Sequence, residues 1–126
     1  MFSLDERVRF WLCQRPVSMR YGIRGLTNIV LSWPGFSPMS GCAFVFFSAD
    51  RRQVKILRWD CDGFLLYQKK LAKGRFRQLV YKGGDGCLQA SYEEIYFLMR
   101  GLSPVTMKTD SRFRCGDSNI QPFVIQ

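Results

Sequence analysis

The sequence contains no histidine. Histidine supplies the base in Ser-His-Asp and Cys-His nucleophile systems, and it is the commonest proton acceptor near neutral pH. Its absence excludes those systems, so any catalysis has to rest on Asp, Glu, Lys or Cys. The missing histidine is the strongest argument in the sequence that the chain is not an enzyme.

Long apolar runs and paired cysteines are also missing. No run approaches the roughly 18 apolar residues of a membrane span, and the opening MFSLDERVRF lacks the apolar stretch of a signal peptide. We therefore expect a cytoplasmic protein with no membrane partner. We also expect no small-molecule substrate and no cofactor. Without a C-x-x-C pair, neither a zinc site nor a redox motif is indicated. In a reducing cytosol the five cysteines are interpreted as buried or incidental thiols: Cys13, Cys42, Cys61, Cys87 and Cys115.

What the sequence does contain is apolar and basic. Of its 126 residues 47% are hydrophobic and 15% aromatic, which is typical of a globular domain with a core. The 19 Lys and Arg against 10 Asp and Glu give a net charge of +9. Such an excess favours a polyanionic partner, namely nucleic acid, an acidic protein or an anionic surface. The alternative is that the charge serves only solubility.

Short aromatic and β-branched runs separated by turn residues predict strands. The run AFVFFS, at 43–48, is continuously apolar and predicts a buried central strand. DCDG predicts a tight turn, with Asp62 and Gly63 suited to positive φ. The predicted strands are 7–13, 43–48, 53–59, 64–71 and 75–81.

Two helices are predicted, the first between the first two strands. Ser18 is its expected N-cap, with the helix beginning at Met19 and ending at Pro34 and Gly35. Within it, two glycines three residues apart predict close packing against another backbone, and a spacing of three and four residues gives one apolar face. The glycines are Gly22 and Gly25, and the apolar face is Ile23, Leu26, Val30 and Trp33.

The second helix follows Ser91, which with Glu94 forms a predicted capping box, and Gly101 is its expected left-handed C-terminal cap. Together these elements predict an α+β fold, an antiparallel β-meander of four to five strands with two helices packed on one face. We expect one domain over 1–103 and a tail over 104–126, in which FVIQ could add an edge strand.

The positive charge is concentrated between residues 51 and 82, where ten cations and two anions leave +8. We predict that phosphate groups are bound by seven of these cations. They are Lys55, Arg58, Lys69, Lys70, Lys73, Arg75 and Arg77.

Aromatic side chains in the same segment, Trp59, Phe64 and Tyr67, could stack on exposed bases or belong to the core. Asp60 and Asp62 flank the predicted turn. Two carboxylates without a third ligand are weak support for a metal site, and Asp is common in turns for its own sake.

Three ordered blocks carry a family resemblance: MRYGIRGL at 19–26, SGCAFVFFS at 40–48 and VKILRWDCDGFLLYQKKLAKGRF at 54–76. They resemble TnpB, the accessory proteins encoded by the second open reading frame (Orf2-type) of the insertion sequence sixty-six (IS66) transposon family. One departure is Ala72, where the family usually carries an acidic residue. The resemblance implies an accessory role in transposition beside a separate transposase, and it implies no catalytic residues here.

Three functions follow as hypotheses. The first is a non-catalytic accessory protein that binds DNA through the basic hairpin. The second is a protein-interaction module that bridges or activates the transposase, or another transposon-encoded protein, without contacting DNA. The third, weakest because histidine and a third acidic ligand are missing, is a nuclease using Asp60 and Asp62.

Overall fold

The computed structural model of the protein describes residues 4–77 and 86–101. Within these ranges the chain forms a five-stranded mixed sheet of order β4-β3-β2-β1-β5 and two helices. In chain order the elements are β1 (Phe10–Cys13), α1 (Ile23–Leu31), β2 (Ala43–Phe47), β3 (Gln53–Asp60), β4 (Gly63–Lys70), β5 (Cys87–Ala90) and α2 (Tyr92–Arg100). The α+β class is confirmed.

The sheet is not the purely antiparallel meander that the sequence predicts. Strands β2, β3 and β4 form antiparallel neighbours as expected, but β1 pairs with β2 in parallel, with Phe10 opposite Ala43. A parallel neighbour needs a long crossover connection, and α1 lies in the segment that supplies it. The antiparallel assignment is therefore wrong for the β1–β2 pair. Strand β1 enters the sheet between β2 and β5 and is antiparallel to β5.

The two helices lie on opposite faces of the sheet, so their expected packing on one face is also wrong. Alternate residues of β2 separate into two clusters: Phe44 and Phe46 pack with Leu26 and Val30 of α1, whereas Val45 belongs to the cluster of α2. All five β2 side chains are buried. The prediction of a buried central strand at 43–48 is confirmed, because a strand covered on both faces is apolar throughout.

Helix α1 is shorter than predicted. It begins at Ile23 with Gly22 as N-cap, while the Ser18 hydroxyl accepts a hydrogen bond from the Arg20 amide in a local turn. Its last helical residue is Leu31, three residues before Pro34. The predicted apolar face is right at its centre, where Leu26 and Val30 are fully buried, and it fails at Ile23, which is 38% exposed.

The two glycines of this region do not approach another backbone. A Cβ at Gly22 would meet nothing within 4 Å, and one at Gly25 would lie 2.6 Å from the ring of Tyr21. Gly25 therefore makes room for an aromatic side chain of the preceding turn, and the prediction of backbone packing is wrong.

Helix α2 forms as predicted. The Glu94 amide donates to the Ser91 hydroxyl at 3.1 Å, and the Ser91 amide donates to the Glu94 carboxylate at 3.0 Å. Gly101 closes the helix with φ 73°. The capping box and the left-handed cap are both confirmed.

The structure differs from the sequence-based predictions at the β3–β4 turn, after β4 and at β5. The β3–β4 turn has positive φ at Cys61, not at Asp62 or Gly63. Residues 75–77 are not a strand, and 78–81 and the tail at 104–126 lie outside the described residues. Strand β5, at Cys87–Ala90, was missed because four residues containing a glutamine give no clear alternation. The domain limits stay a prediction.

Replacing Ser91 by Ala should lower the free energy of unfolding by about 1 kcal/mol, because the Glu94 amide loses its acceptor at the start of α2. Urea unfolding measures this change. Ser91→Asp, which keeps an acceptor oxygen, should stay near the parent value. Equal stability of all three proteins would contradict the cap.

Candidate functional site

Charge is separated along the strand direction of the sheet. One end, here called the basic end, lies where β1, β2 and β4 finish and β3 begins, since Phe47 pairs with Val54 and Val54 with Lys69. Nine cations occupy its loops and strand ends, against Asp50 alone among the described acids, so nine minus one leaves +8. The cations are Arg15, Arg20, Arg51, Arg52, Lys69, Lys70, Lys73, Arg75 and Arg77.

The opposite end carries the remaining described acids. It comprises the residues before β1, the β3–β4 turn and the first turn of α2, which follows Ala90 opposite Phe10. Six of the seven acids in the described ranges are here: Asp5, Glu6, Asp60, Asp62, Glu93 and Glu94. Three cations, Arg7, Arg9 and Arg58, stand among them, so this end has a net charge of −3.

Lys55, one of the predicted phosphate contacts, points into the protein. Its side chain is 6% exposed, and its Nζ donates to the carbonyls of Met19 at 2.9 Å and Tyr21 at 2.8 Å. These carbonyls belong to the turn that leads into α1. Lys55 therefore stabilises the approach to the helix, and its predicted role at a phosphate does not fit this placement.

Arg58 is likewise separated from the other predicted cations. It lies near the far end of β3, half-buried, and its Nε donates to the Gly41 carbonyl at 3.1 Å. Hydrogen bonds with Arg7 hold the pKa of the Asp5 carboxyl below its ordinary value, and the charge of Arg58 lowers this pKa slightly further. Arg58 thus belongs to the end of the sheet that carries the acids.

The other five predicted cations come together at the basic end. Lys69 lies on the α2 face, where its Nζ donates to the Met99 carbonyl in the last turn of that helix at 3.2 Å. Lys70 is on the opposite face of β4, and the remaining three follow β4 in sequence. All five are exposed: Lys69, Lys70, Lys73, Arg75 and Arg77.

Arg51, absent from the predicted contacts, fixes the segment that carries these cations. Its guanidinium donates to the Phe76 carbonyl at 3.0 Å and to the Arg77 carbonyl, and it lies 4.2 Å from the ring centre of Phe47. Backbone bonds from Leu71 to Arg52 and from Phe76 to Arg51 secure the same segment. The backbone of Arg51 is in the left-handed region, with a φ of 59°, and the sequence alone does not reveal this conformation.

Asp50 organises the β2–β3 turn at the basic end. Its carboxylate accepts from the Ser48 hydroxyl at 2.6 Å and from the Arg52 amide at 3.1 Å. These two bonds, followed by the charges of Arg52 and Arg75, hold the pKa of Asp50 below its ordinary value. An open cleft of about 660 Å³ lies beside this turn, lined by Arg20, Ser48 and Asp50 among others.

Two of the three aromatic residues proposed as stacking platforms, Trp59 and Phe64, are not at the basic end. Trp59 and Phe64 contact each other edge to face at 5.0 Å beside the β3–β4 turn, and Tyr67 packs against the α2-side cluster. Phe47 and Phe76, which lie at the basic end, are buried. The structure therefore separates Trp59 and Phe64 from the five predicted cations of the basic end.

The carboxylates considered for a metal site stand apart from the cations. Asp60 and Asp62 flank the β3–β4 turn, at the end of the sheet with the other acids. Across residues 4–77 and 86–101, no group of three or more Cys, Asp or Glu side chains is placed to hold a metal ion. Over the same ranges, neither helix has the length and apolarity to cross a membrane.

Replacing Lys55 by Met should lower the free energy of unfolding by about 1–3 kcal/mol, because two carbonyls beside α1 lose their donor. The matched change Lys70→Met removes the same charge from an exposed site and should alter stability by no more than about 0.5 kcal/mol. Chemical denaturation compares the two. Equal losses would contradict the buried role of Lys55.

Replacing Arg51 by Lys keeps the charge but removes the guanidinium fork that binds two carbonyls of the segment 71–77. We expect trypsin to cut after Lys73 and Arg75 several-fold faster, because a loosened segment enters a protease more readily. Arg52→Lys, at the adjacent exposed position, is the control. Identical cleavage rates for the two variants would argue against the anchoring role.

Comparison with known proteins agrees with the resemblance noted in the sequence. The family model TnpB_IS66, described as IS66 Orf2 like protein, matches residues 8–109. The chain is also similar to uncharacterized protein y4hO of Sinorhizobium fredii (strain NBRC 101917 / NGR234), with 28% identity over 102 residues, 81% of this chain and 87% of that protein. No solved structure matches. Because the family match spans most of its length, the chain belongs to the IS66 Orf2-like family.

Proposed function

We propose that this transposition-associated accessory protein binds DNA through its basic end and has no catalytic activity of its own. The observation that carries the proposal is the separation of charge, with +8 at one end of the sheet and six of the seven described acids at the other. A polyanion is attracted to the first end and repelled by the second. A positive charge that served only solubility would not need the cations and the acids to lie at opposite ends of the sheet.

Lys70, Lys73, Arg75 and Arg77 are the proposed phosphate contacts. They are exposed, and the last three follow β4 in the segment that Arg51 and two backbone bonds attach to the β2–β3 turn. A segment already ordered loses less conformational entropy when it binds. Arg20 and Arg52 extend the contact surface, Lys69 stands at its margin, and Lys55 and Arg58 are left out because of their placement.

The proposed absence of catalysis rests on residue chemistry and placement. The chain has no histidine, and Asp60 and Asp62 stand at the end of the sheet opposite the proposed DNA contacts. DNA held at the basic end would therefore be remote from the only acidic pair considered for cleavage.

A protein-binding role is the second candidate, and the surface around α1 favours it. Leu31 and Met39 are 62% and 56% exposed, and Tyr21 and Ile23, at the start of α1, are exposed as well. Exposed apolar side chains of this size suit a protein contact, with the transposase as the proposed partner. Leu31 ends α1 and Met39 follows it, whereas Arg20 of the basic end precedes the helix. A protein contact at Leu31 and Met39 is therefore compatible with DNA at the basic end.

The DNA proposal is tested by replacing Lys70, Lys73 and Arg75 together with Gln. If each contacts one phosphate, the slope of log affinity against log salt on duplex DNA should become shallower by about 2.7, because each contact contributes about 0.9. Fluorescence anisotropy with a labelled duplex between about 50 and 200 mM salt measures this slope.

The control removes three positive charges at the opposite end of the sheet, through Arg7→Gln, Arg9→Gln and Arg58→Gln, so that the net charge is the same. It should keep most of the salt slope. Equal losses in both triple variants would show that only net charge matters, and an absence of DNA binding by the parent protein at low salt would overturn the proposal. Retention of DNA-free transposase by the parent protein would instead support the second candidate.

A further inference from the structure

Two thiols face each other across the strands β1 and β5. Cys13 lies directly opposite Cys87 in the antiparallel register. The neighbouring residues Gln14 and Gly86 are joined by a backbone hydrogen bond of 3.1 Å. Hydrogen-bonded and non-hydrogen-bonded pairs alternate along an antiparallel ladder, so the Cys13–Cys87 pair is of the second kind.

The non-hydrogen-bonded position is the one that suits a cross-link. Cα atoms in such a pair are about 4.5 Å apart and their side chains are closer than in hydrogen-bonded pairs. Disulfides bridge Cα distances of about 4.4–6.8 Å. Residues directly opposite each other point to the same face of the sheet, and here it is the α1 face, because Cys13 packs against the α1-side cluster.

The surroundings of the two thiols agree with this proximity. Both are half-buried free thiols, and the Cys13 thiol donates to the Arg15 carbonyl at 3.4 Å. Burial raises the pKa of Cys87, and the neighbouring Cys13 raises it further. Burial also raises the pKa of Cys13. Thiol–disulfide exchange proceeds through the thiolate, so we expect this pair to react slowly.

We propose that Cys13 and Cys87 form a modification site, a cross-strand dithiol that a low-molecular-weight disulfide such as oxidised glutathione converts to an intrachain disulfide. One protein thiolate attacks a sulfur of the oxidant, which gives a mixed disulfide and releases one glutathione thiolate. The second protein thiolate then attacks the protein-bound sulfur and releases the second glutathione. Two protons and two electrons pass from the protein to the oxidant, which leaves as two reduced glutathione molecules.

The cross-link would join the edge strand β5, and with it α2, covalently to β1. The closed loop runs from residue 13 to residue 87 and encloses α1 and β2 to β4. A loop of this length removes much conformational freedom from the unfolded chain. The modified protein should therefore resist unfolding more strongly than the reduced protein. The inference stands on β1 and β5 alone and does not depend on DNA binding.

The test uses the full chain incubated with oxidised glutathione, blocked with N-ethylmaleimide and digested for mass spectrometry. The expected product is a peptide pair joined through Cys13 and Cys87, two hydrogens lighter than the reduced pair. A melting temperature higher by roughly 10 °C, reversed by dithiothreitol, should accompany it.

Single variants separate this cross-link from other thiol reactions. Cys61→Ser removes an exposed thiol of the β3–β4 turn and should leave the shift intact, whereas Cys13→Ala and Cys87→Ala should each abolish it and leave a mixed disulfide. The peptide map of the parent protein decides the matter even if a variant fails to fold. Oxidation that joins other cysteines, or that leaves Cys13 and Cys87 open to alkylation, would overturn the proposal.

Discussion

Burial of β2 on both faces is the constraint on which the rest of the structure depends. Its five side chains are all removed from water, so each face of the sheet has to be covered. Helix α1 covers one face through Leu26 and Val30, and α2 covers the other through Ile95 and Leu98. With both faces occupied, charged side chains are left to the strand ends, the turns and the outer surfaces of the helices. The layered core thus confines charge to the ends of the strands, and the sequence of the turns decides which sign each end carries.

The sequence predicted those parts of the fold that depend on local chemistry. Continuous apolarity identified β2, aromatic and β-branched runs with a turn signal identified the β3–β4 hairpin, and Ser91 with Glu94 identified the start of α2. It did not predict that β1 runs parallel to β2 or that the helices take opposite faces. Those features depend on how one segment crosses the sheet, and a helix with one apolar stripe fits either face equally well.

The candidate site was predictable as charge but not as geometry. Counting Lys and Arg located the basic segment. However, Lys55 points into the protein and donates to two carbonyls, and Arg58 lies at the end of the sheet opposite the basic end. Strand alternation assigns a side chain to a face without saying what lies above it. Arg51 was missed for a similar reason, since its role depends on a left-handed turn and on a segment about 25 residues later in the chain.

Charge separation also bears on how the proposed partners would be arranged. Because six of the seven described acids lie at the end opposite the basic end, the electrostatic field would orient the molecule with its basic end toward a polyanion before contact is made. In that orientation the β2–β3 turn and the segment after β4 would face the phosphates of the proposed DNA partner. The exposed apolar side chains around α1, including Leu31 and Met39, stay on a side face of the sheet. A protein bound there need not displace the nucleic acid, so one small domain has separate surfaces for the two proposed contacts.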